Sequence, residues 1–387
     1  MIRRRSFLKG ALLAPILQRA TSTFGDSRTS REAAIRADMS TYVDSGMLPC
    51  ALGMIVQRNR VMFAGAVGFA DLETKLPLRP DAIFDVRSIS KPVTATGAML
   101  LLESGKISLD DPIEKYLPEF RGVQVAESGR LSVPPRQPTI LNLLTHSSGI
   151  PVERPKAIEN LTRTMDRSLT EVVRLIAAQP LDFAPSEKWR YSSSGFATLG
   201  RIIEVVSNQS FQSFMNQKVF GPLGMQDSSF FPGPERTARI PTMYTLENRA
   251  LKRDSLDVSR KAQVYAAPEF GLCTTAKDLV KLSEMFLNQG MAGGKRFLSA
   301  ESIRSMLTPR MHTDDPALDM GLGWFIHTAK NAPAAYPETV GSFGAAGASG
   351  GLIWVDPEKE LIRIFLTHCF GTDGKAPESF MRLASTL

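Results

Sequence analysis

Histidine is scarce in this chain of 387 residues: His146, His312, His327 and His368 are all there are, and none stands at an H-x-x-x-H or similar ligand spacing. Cysteine is scarcer still. Cys50, Cys273 and Cys369 lie far apart with no C-x-x-C pair, which excludes a cysteine-based zinc or redox motif on spacing alone. No metal site and no cofactor are expected. The odd count leaves at least one thiol unpaired. Each cysteine reads by default as a small buried hydrophobe, and the sequence does not choose a pair for the single disulfide an oxidising compartment would allow. No apolar run approaches the roughly 18 residues a membrane-spanning helix requires, so no permanent span is expected. A G-x-x-x-x-G-K-[ST] phosphate loop, internal repeats and low-complexity tracts are also missing.

An apolar fraction of 43% is enough for the core of one large domain or two interleaved ones. The formal net charge is +7, but residues 1–25 hold five basic residues, Arg3, Arg4, Arg5, Lys9 and Arg19, and no acidic one, which leaves +2 for the rest. That remainder forms no basic stripe with interleaved aromatics and gives no support for nucleic-acid binding. The leading Arg4-Arg5-Ser6-Phe7-Leu8-Lys9, followed by a mildly apolar run from Gly10 to Leu17, resembles a twin-arginine export signal. Residues 1–25 are accordingly expected to be a signal peptide cleaved at some point beyond Ala20, with the mature domain over 26–387 exported to the periplasm or medium.

Apolar positions recur at helical spacing from Ser27 to Ser45. Ala51–Gln57 and Val61–Gly65 read as two strands around a tight turn at Arg58-Asn59-Arg60. From Phe84 to Thr308 the pattern is mostly helical, over Pro92–Ser104, Leu169–Ala178, Phe196–Val206, Phe211–Phe220 and Ala276–Asn288, with Arg121–Pro138 as a loop-like excursion. Strand-like runs return at Gly323–His327, Gly351–Val355 and Leu361–Thr367, before a closing helix around Glu378–Leu383. The economical assembly is an α+β fold in which both ends of the chain build one antiparallel sheet flanked by helices. A mostly helical subdomain, roughly residues 85–310, is inserted between them.

The chemistry is carried by Ser88-Ile-Ser-Lys91, an S-x-x-K placed where a helical pattern begins, so that residues i and i+3 share a face and can touch. A serine hydroxyl is a weak nucleophile until a neighbour takes its proton, and a lysine can serve. The surrounding segments resemble the β-lactamase-related serine hydrolases, a family that includes class C β-lactamases, penicillin-binding proteins and peptidases, and esterases. The likeness runs over most of Ala33 to Phe370. It rests on Phe84–Thr94, Leu109–Pro118, Ile140-Leu-Asn-Leu-Leu-Thr-His146-Ser-Ser-Gly149, Trp189–Gly195, Pro222–Met225 and Gly321–Trp324.

The resemblance implies a β-lactamase/transpeptidase-like fold with Ser88 as nucleophile, Lys91 as its proton partner and Tyr191 as assisting base. Tyr191 opens the family's Tyr-x-Asn motif, whose asparagine is replaced by Ser193. The third family motif, a strand bearing Lys, His or Trp, then a small residue, then Gly, falls on Ala345-Ala346-Gly347. The two alanines offer neither charge nor hydroxyl for a substrate carboxylate. Gly347 is kept, and the resemblance implies an oxyanion hole from the N–H groups of Ser88 and Ala348. Ser193, Ala345, Ala346 and Gly347 are thus the expected substrate-binding positions, and the partner is a small ester, amide or peptide. The expected activity is that of an esterase or broad serine hydrolase. A D-Ala-D-Ala peptidase or β-lactamase is the alternative of the same mechanism, and a catalytically silent relative that binds peptide or protein is the alternative of another class.

Gly347-Ala-Ser349-Gly-Gly351 also matches the G-x-S-x-G nucleophile elbow, but the adjoining Leu352-Ile-Trp-Val reads as a strand where an elbow needs a helix. Asp110 and Asp111, before Pro112, read as a turn, and His146 as a structural histidine bonding a turn.

Overall fold

The computed structural model describes residues 19–127, 129–255, 264–328 and 338–385. Most of the expected signal segment lies outside them. The chain enters on α1 (Arg19–Asp44), which begins earlier than the expected Ser27 and takes in the last residues of the proposed signal. It then makes the hairpin of β1 (Cys50–Gln57) and β2 (Arg60–Asp71). Arg58 and Asn59 close that hairpin with φ of 49° and 58°. This left-handed pair gives a two-residue turn whose twist matches the strands it joins. A short β3 (Leu76–Pro77) comes next.

The remaining strands of the main sheet come from the other end of the chain: β4 (Met311–His312), β5 (Leu318–Met320), β6 (Phe325–His327), β7 (Phe343–Ala346), β8 (Leu352–Asp356) and β9 (Leu361–Leu366). The spatial order is β4-β5-β6-β7-β8-β9-β1-β2-β3, antiparallel throughout. The N-terminal and C-terminal strands meet where Leu52 pairs with Leu366 and Val56 with Ile362.

Every residue of β9 is buried, because both faces of the sheet are covered there. Ile362, Ile364 and Leu366 point into the main core, while Leu361 and Phe365 alternate to the opposite face. On that second face they meet Ile35 and Met39 of α1 and Phe380 and Met381 of the closing helix α6 (Lys375–Ala384). Arg363 also lies on β9, wholly buried. Its guanidinium is tied to the Glu338 carboxylate, the Met381 carbonyl 3.3 Å away and Ser385 Oγ at 2.8 Å.

The segment between β3 and β4 carries the other helices, the longest being α2 (Ser90–Glu103), α3 (Leu169–Ala177), α4 (Ser193–Ser207) and α5 (Ala276–Leu287). Almost all of α2 is buried, from Ser90 to Met99 without a break. It is therefore the central helix rather than a surface one. The Arg121–Pro138 excursion contains a small hairpin, Val125–Glu127 with Arg130–Ser132. Among the described residues no helix is long and apolar enough to cross a membrane.

Candidate active site

Phe84 and Asp85 pair with Cys273 and Thr274, and this short ladder fixes where the chain turns into α2. The expected single helix through Ser88 and Lys91 is in fact a 3₁₀ turn, Arg87–Ile89, feeding α2 at Ser90. Ser90 pins the turn: its hydroxyl donates to the Arg87 carbonyl at 2.6 Å and accepts the Leu272 N–H at 2.9 Å. The turn keeps i and i+3 adjacent, and half-buried Ser88 places Oγ 3.0 Å from Lys91 Nζ. Lys91 is only 2% exposed. Its ammonium makes a second bond, 2.9 Å, to the backbone carbonyl of Glu269. Among the described residues no carboxylate forms an ion pair with Lys91.

Glu269 does not follow from any sequence motif, because what it offers Lys91 is a backbone oxygen, which every residue type carries. Its side chain holds that carbonyl in place: the fully buried carboxylate accepts from Arg154 Nη2 at 3.0 Å and from the Tyr265 hydroxyl at 2.8 Å. Arg154 and Arg87 both lie against the Phe270 ring, at 5.1 and 5.7 Å from its centroid.

Tyr191 comes to the same place from the opposite wall. The Lys91 ammonium sits 4.7 Å from the centre of its ring. One face of the ring packs on His146, centroids 4.4 Å apart, and Phe325 stacks at 6.4 Å. His146 Nδ1 accepts the N–H of Ser192 at 3.1 Å, and its own carbonyl accepts the Arg190 N–H at 2.9 Å, so it clasps the backbone on both sides of Tyr191. Burial, reinforced by the nearby Lys91 charge, holds the His146 imidazole down to about 3, so the ring is neutral and Nδ1 is free to accept. The turn-bonding role expected for His146 thus extends to orienting Tyr191.

Ser193 opens α4 and is half-buried. Among the described residues it makes no hydrogen bond to Lys91, whose second bond goes to the Glu269 carbonyl. Of the two alanines, Ala345 turns its side chain into the main core, 4% exposed, and only Ala346 is open to solvent. Gly347 runs hard against the nucleophile turn: a Cβ there would stand 2.2 Å from the Val86 carbonyl oxygen. Gly347 N–H donates to Gly351 O at 2.8 Å, whereas exposed Ala348 N–H has no partner among the described residues. Ser88 N–H lies ahead of the first helical donor of its turn, Ile89, which bonds Val86 O at 3.2 Å. Two backbone donors are therefore available where β7 meets the Ser88 turn.

Ser349, the serine of the elbow-like pattern, is buried and donates to the Asp85 carbonyl at 2.9 Å, which ties the end of β7 to the base of the Ser88 turn. Asp111 accepts from Ser108 N–H at 2.7 Å and from Lys115 Nζ at 2.7 Å, the turn expected of it. All three cysteines are buried, and no disulfide joins any two of them. Among the described residues no group of three His, Cys, Asp or Glu side chains is placed to hold a metal ion.

The sequence model of the family described as Beta-lactamase matches residues 35–387. A protein of Mycobacterium tuberculosis without a described activity is 30% identical over 86% of this chain and 89% of its own. Esterase EstB of Burkholderia gladioli is 32% identical over 58% of this chain and 59% of its own. Among solved structures, EstCE1, described as a hydrolase with promiscuous acyltransferase activity, superposes with a TM-score of 0.81 at 23% identity, covering 92% of this chain and 99% of that one.

Proposed function

The chain belongs to the beta-lactamase family of serine hydrolases, and from that premise we propose that it is an exported esterase that forms an acyl-enzyme on Ser88. The observation that carries the reading is the 3.0 Å contact of Ser88 Oγ with a buried lysine whose other bond goes to a neutral backbone carbonyl. In its free-amine form Lys91 takes the hydroxyl proton as Oγ attacks the ester carbonyl, becoming the ammonium, and the oxygen that becomes negative is received by the N–H groups of Ser88 and Ala348. Tyr191, held by His146 and Phe325 beside the ammonium, passes the proton to the departing alkoxide, and water then releases the acyl group.

Ester specificity is supported by what borders the site. Ala345 is buried and Ala346 is a methyl group, so neither offers a cation or hydroxyl to a substrate carboxylate of the kind that β-lactams and D-Ala-D-Ala peptides carry. The partial likeness to an esterase points the same way. Export rests on the Arg4-Arg5-Ser6-Phe7-Leu8-Lys9 segment, and N-terminal sequencing of the protein recovered outside the cytoplasm should find the chain beginning after Ala20.

Rates on a short-chain ester, a D-Ala-D-Ala peptide and nitrocefin, each compared with Ser88→Ala, test the assignment. Ester turnover that requires Ser88, with weak or absent nitrocefin turnover, is expected. Rapid Ser88-dependent nitrocefin hydrolysis would make the protein a β-lactamase instead. Ser193 without a bond to Lys91 favours one second reading, a relative that binds peptide or protein without acylation. A folded protein that binds ligand while Ser88 resists acylation would establish it.

A further inference from the structure

Of the non-glycine residues with positive φ among those described, only Arg87, His146 and Met165 are buried. Met165 closes a short helix, Leu161–Thr164, which is an ordinary place for a left-handed residue. The other two flank catalytic groups. His146 clasps the backbone on both sides of Tyr191, and Arg87, with φ of 49°, stands immediately before Ser88. A left-handed φ costs free energy for any residue with a Cβ, and it persists where the surroundings fix it.

The backbone on both sides of Arg87 is tied to one residue. Val86 N–H donates to the Leu272 carbonyl at 3.0 Å, and Leu272 N–H donates to Ser90 Oγ at 2.9 Å. Moving φ from 49° to the ordinary helical value would turn one side against the other by about 110° and break one of those bonds. The side chain is held as firmly. It is 5% exposed, and its guanidinium lies 4.9 Å from the centre of the Phe370 ring and 5.7 Å from that of Phe270. Arg87 Nε stands 3.6 Å from Asp85 Oδ2, and Asp85 Oδ1 accepts the Arg87 N–H at 3.3 Å, so one carboxylate grips both the backbone and the side chain.

Arg87 also lies between the two donors assigned to the oxyanion. The peptide after it carries the Ser88 N–H, and its Cβ stands 3.5 Å from where a Cβ on Gly347 would be, one residue before the Ala348 N–H. We propose that Arg87 is a positioning residue for the oxyanion hole: the stacking of its guanidinium on Phe270 and Phe370 and its pairing with Asp85 hold the left-handed turn that aims the Ser88 N–H beside that of Ala348. This rests on the acyl-enzyme reading of Ser88 and adds to it a residue that does not touch substrate.

Arg87→Ala and Arg87→Gly separate the two parts. Alanine loses the side chain and keeps the penalty of a left-handed φ, whereas glycine loses the side chain and the penalty together. On an acetate ester, Arg87→Ala should lower kcat about tenfold to a hundredfold with KM within about twofold, part of the loss that removal of one oxyanion donor causes. Arg87→Gly should recover about fivefold or more of that loss. Phe370→Leu, which removes one of the two rings at a half-buried position, tests the stacking in a chain that keeps Arg87, and should lower kcat about threefold to tenfold. An Arg87→Ala or Phe370→Leu kcat within about twofold of the unsubstituted protein, a loss confined to KM, or an Arg87→Gly no better than Arg87→Ala would overturn the proposal.

Urea unfolding reads the backbone claim whether or not Ser88 is reactive. Glycine normally makes a chain less stable than alanine does, so a higher midpoint for Arg87→Gly than for Arg87→Ala is the mark of a left-handed position. The opposite order refutes the role of Arg87 even if Ser88 proves inert. The opposite order together with a fluorophosphonate adduct on Ser88 would remove Arg87 from the account and leave the Ser88 chemistry standing.

Discussion

Lysine is seldom buried without a counter-charge, because taking an ammonium out of water costs several kcal/mol unless strong partners replace the hydration. Lys91 is buried between two oxygens that carry no formal charge, Ser88 Oγ and the Glu269 carbonyl. That placement makes sense if the amine is there to exchange a proton with the serine. Lys91→Ala should therefore lower kcat by about a hundredfold to ten-thousandfold, the range of a lost acid–base group, with a circular dichroism spectrum unchanged. Arg154 acts one step further out, since it neutralises the buried carboxylate of the residue whose backbone holds Lys91. Arg154→Ala leaves that charge unpaired and should cost about 3 kcal/mol of stability in urea unfolding. The contact of Ser88 with Lys91 is legible in the sequence because their spacing puts them on one face, while the roles expected of them come from the resemblance of the surrounding segments. The Glu269 carbonyl is not, since backbone acceptors leave no trace in residue type, and the grip of His146 on the Tyr191 backbone depends on a fold that joins positions 46 residues apart.

At the scale of elements, the site is a junction between the Ser88 turn and β7, and Gly347 is what allows the two to touch. A methyl group there would meet the Val86 carbonyl oxygen at 2.2 Å, so the strand must move away and carry the Ala348 N–H with it. Gly347→Ala should reduce kcat on an ester by about a hundredfold to a thousandfold, as loss of one oxyanion donor does. The accompanying drop in unfolding free energy should be too small to explain it, which thermal melting beside steady-state kinetics would show.

The helices of the central region are readable from periodicity, and α5, expected over Ala276–Asn288, ends one residue earlier at Leu287. The strands at the far edge of the sheet are not. β4 and β5 span Met311–His312 and Leu318–Met320, too short to show an alternation. β7 itself, Phe-Gly-Ala-Ala, is made of residues that mostly avoid strands, and only its likeness to the family's third motif marks it.

For the molecule as a whole, the interleaving of both chain ends in one sheet follows from where strand-like runs occur, and β9 beside β1 realises it. Two buried histidines give this assembly a pH dependence that composition cannot show. His146 is held to about 3 and His368 to about 4, both below the ordinary value of 6.5 and both chiefly by burial. The unfolded chain then binds protons that the folded chain refuses, so their contribution is fully present above pH 6.5 and is lost progressively as the pH falls toward 3. The urea midpoint should decline over that window, and His146→Gln combined with His368→Gln should flatten the decline. A midpoint that stays level in the unsubstituted protein would contradict the burial of these rings as neutral groups.

An activated Ser88 is what the whole site is built around, and intact mass spectrometry of the purified protein after exposure to a fluorophosphonate reads it. A single adduct on the unsubstituted chain and none on Ser88→Ala is expected. No adduct on folded protein, or an adduct that persists when Ser88 is replaced, would contradict it.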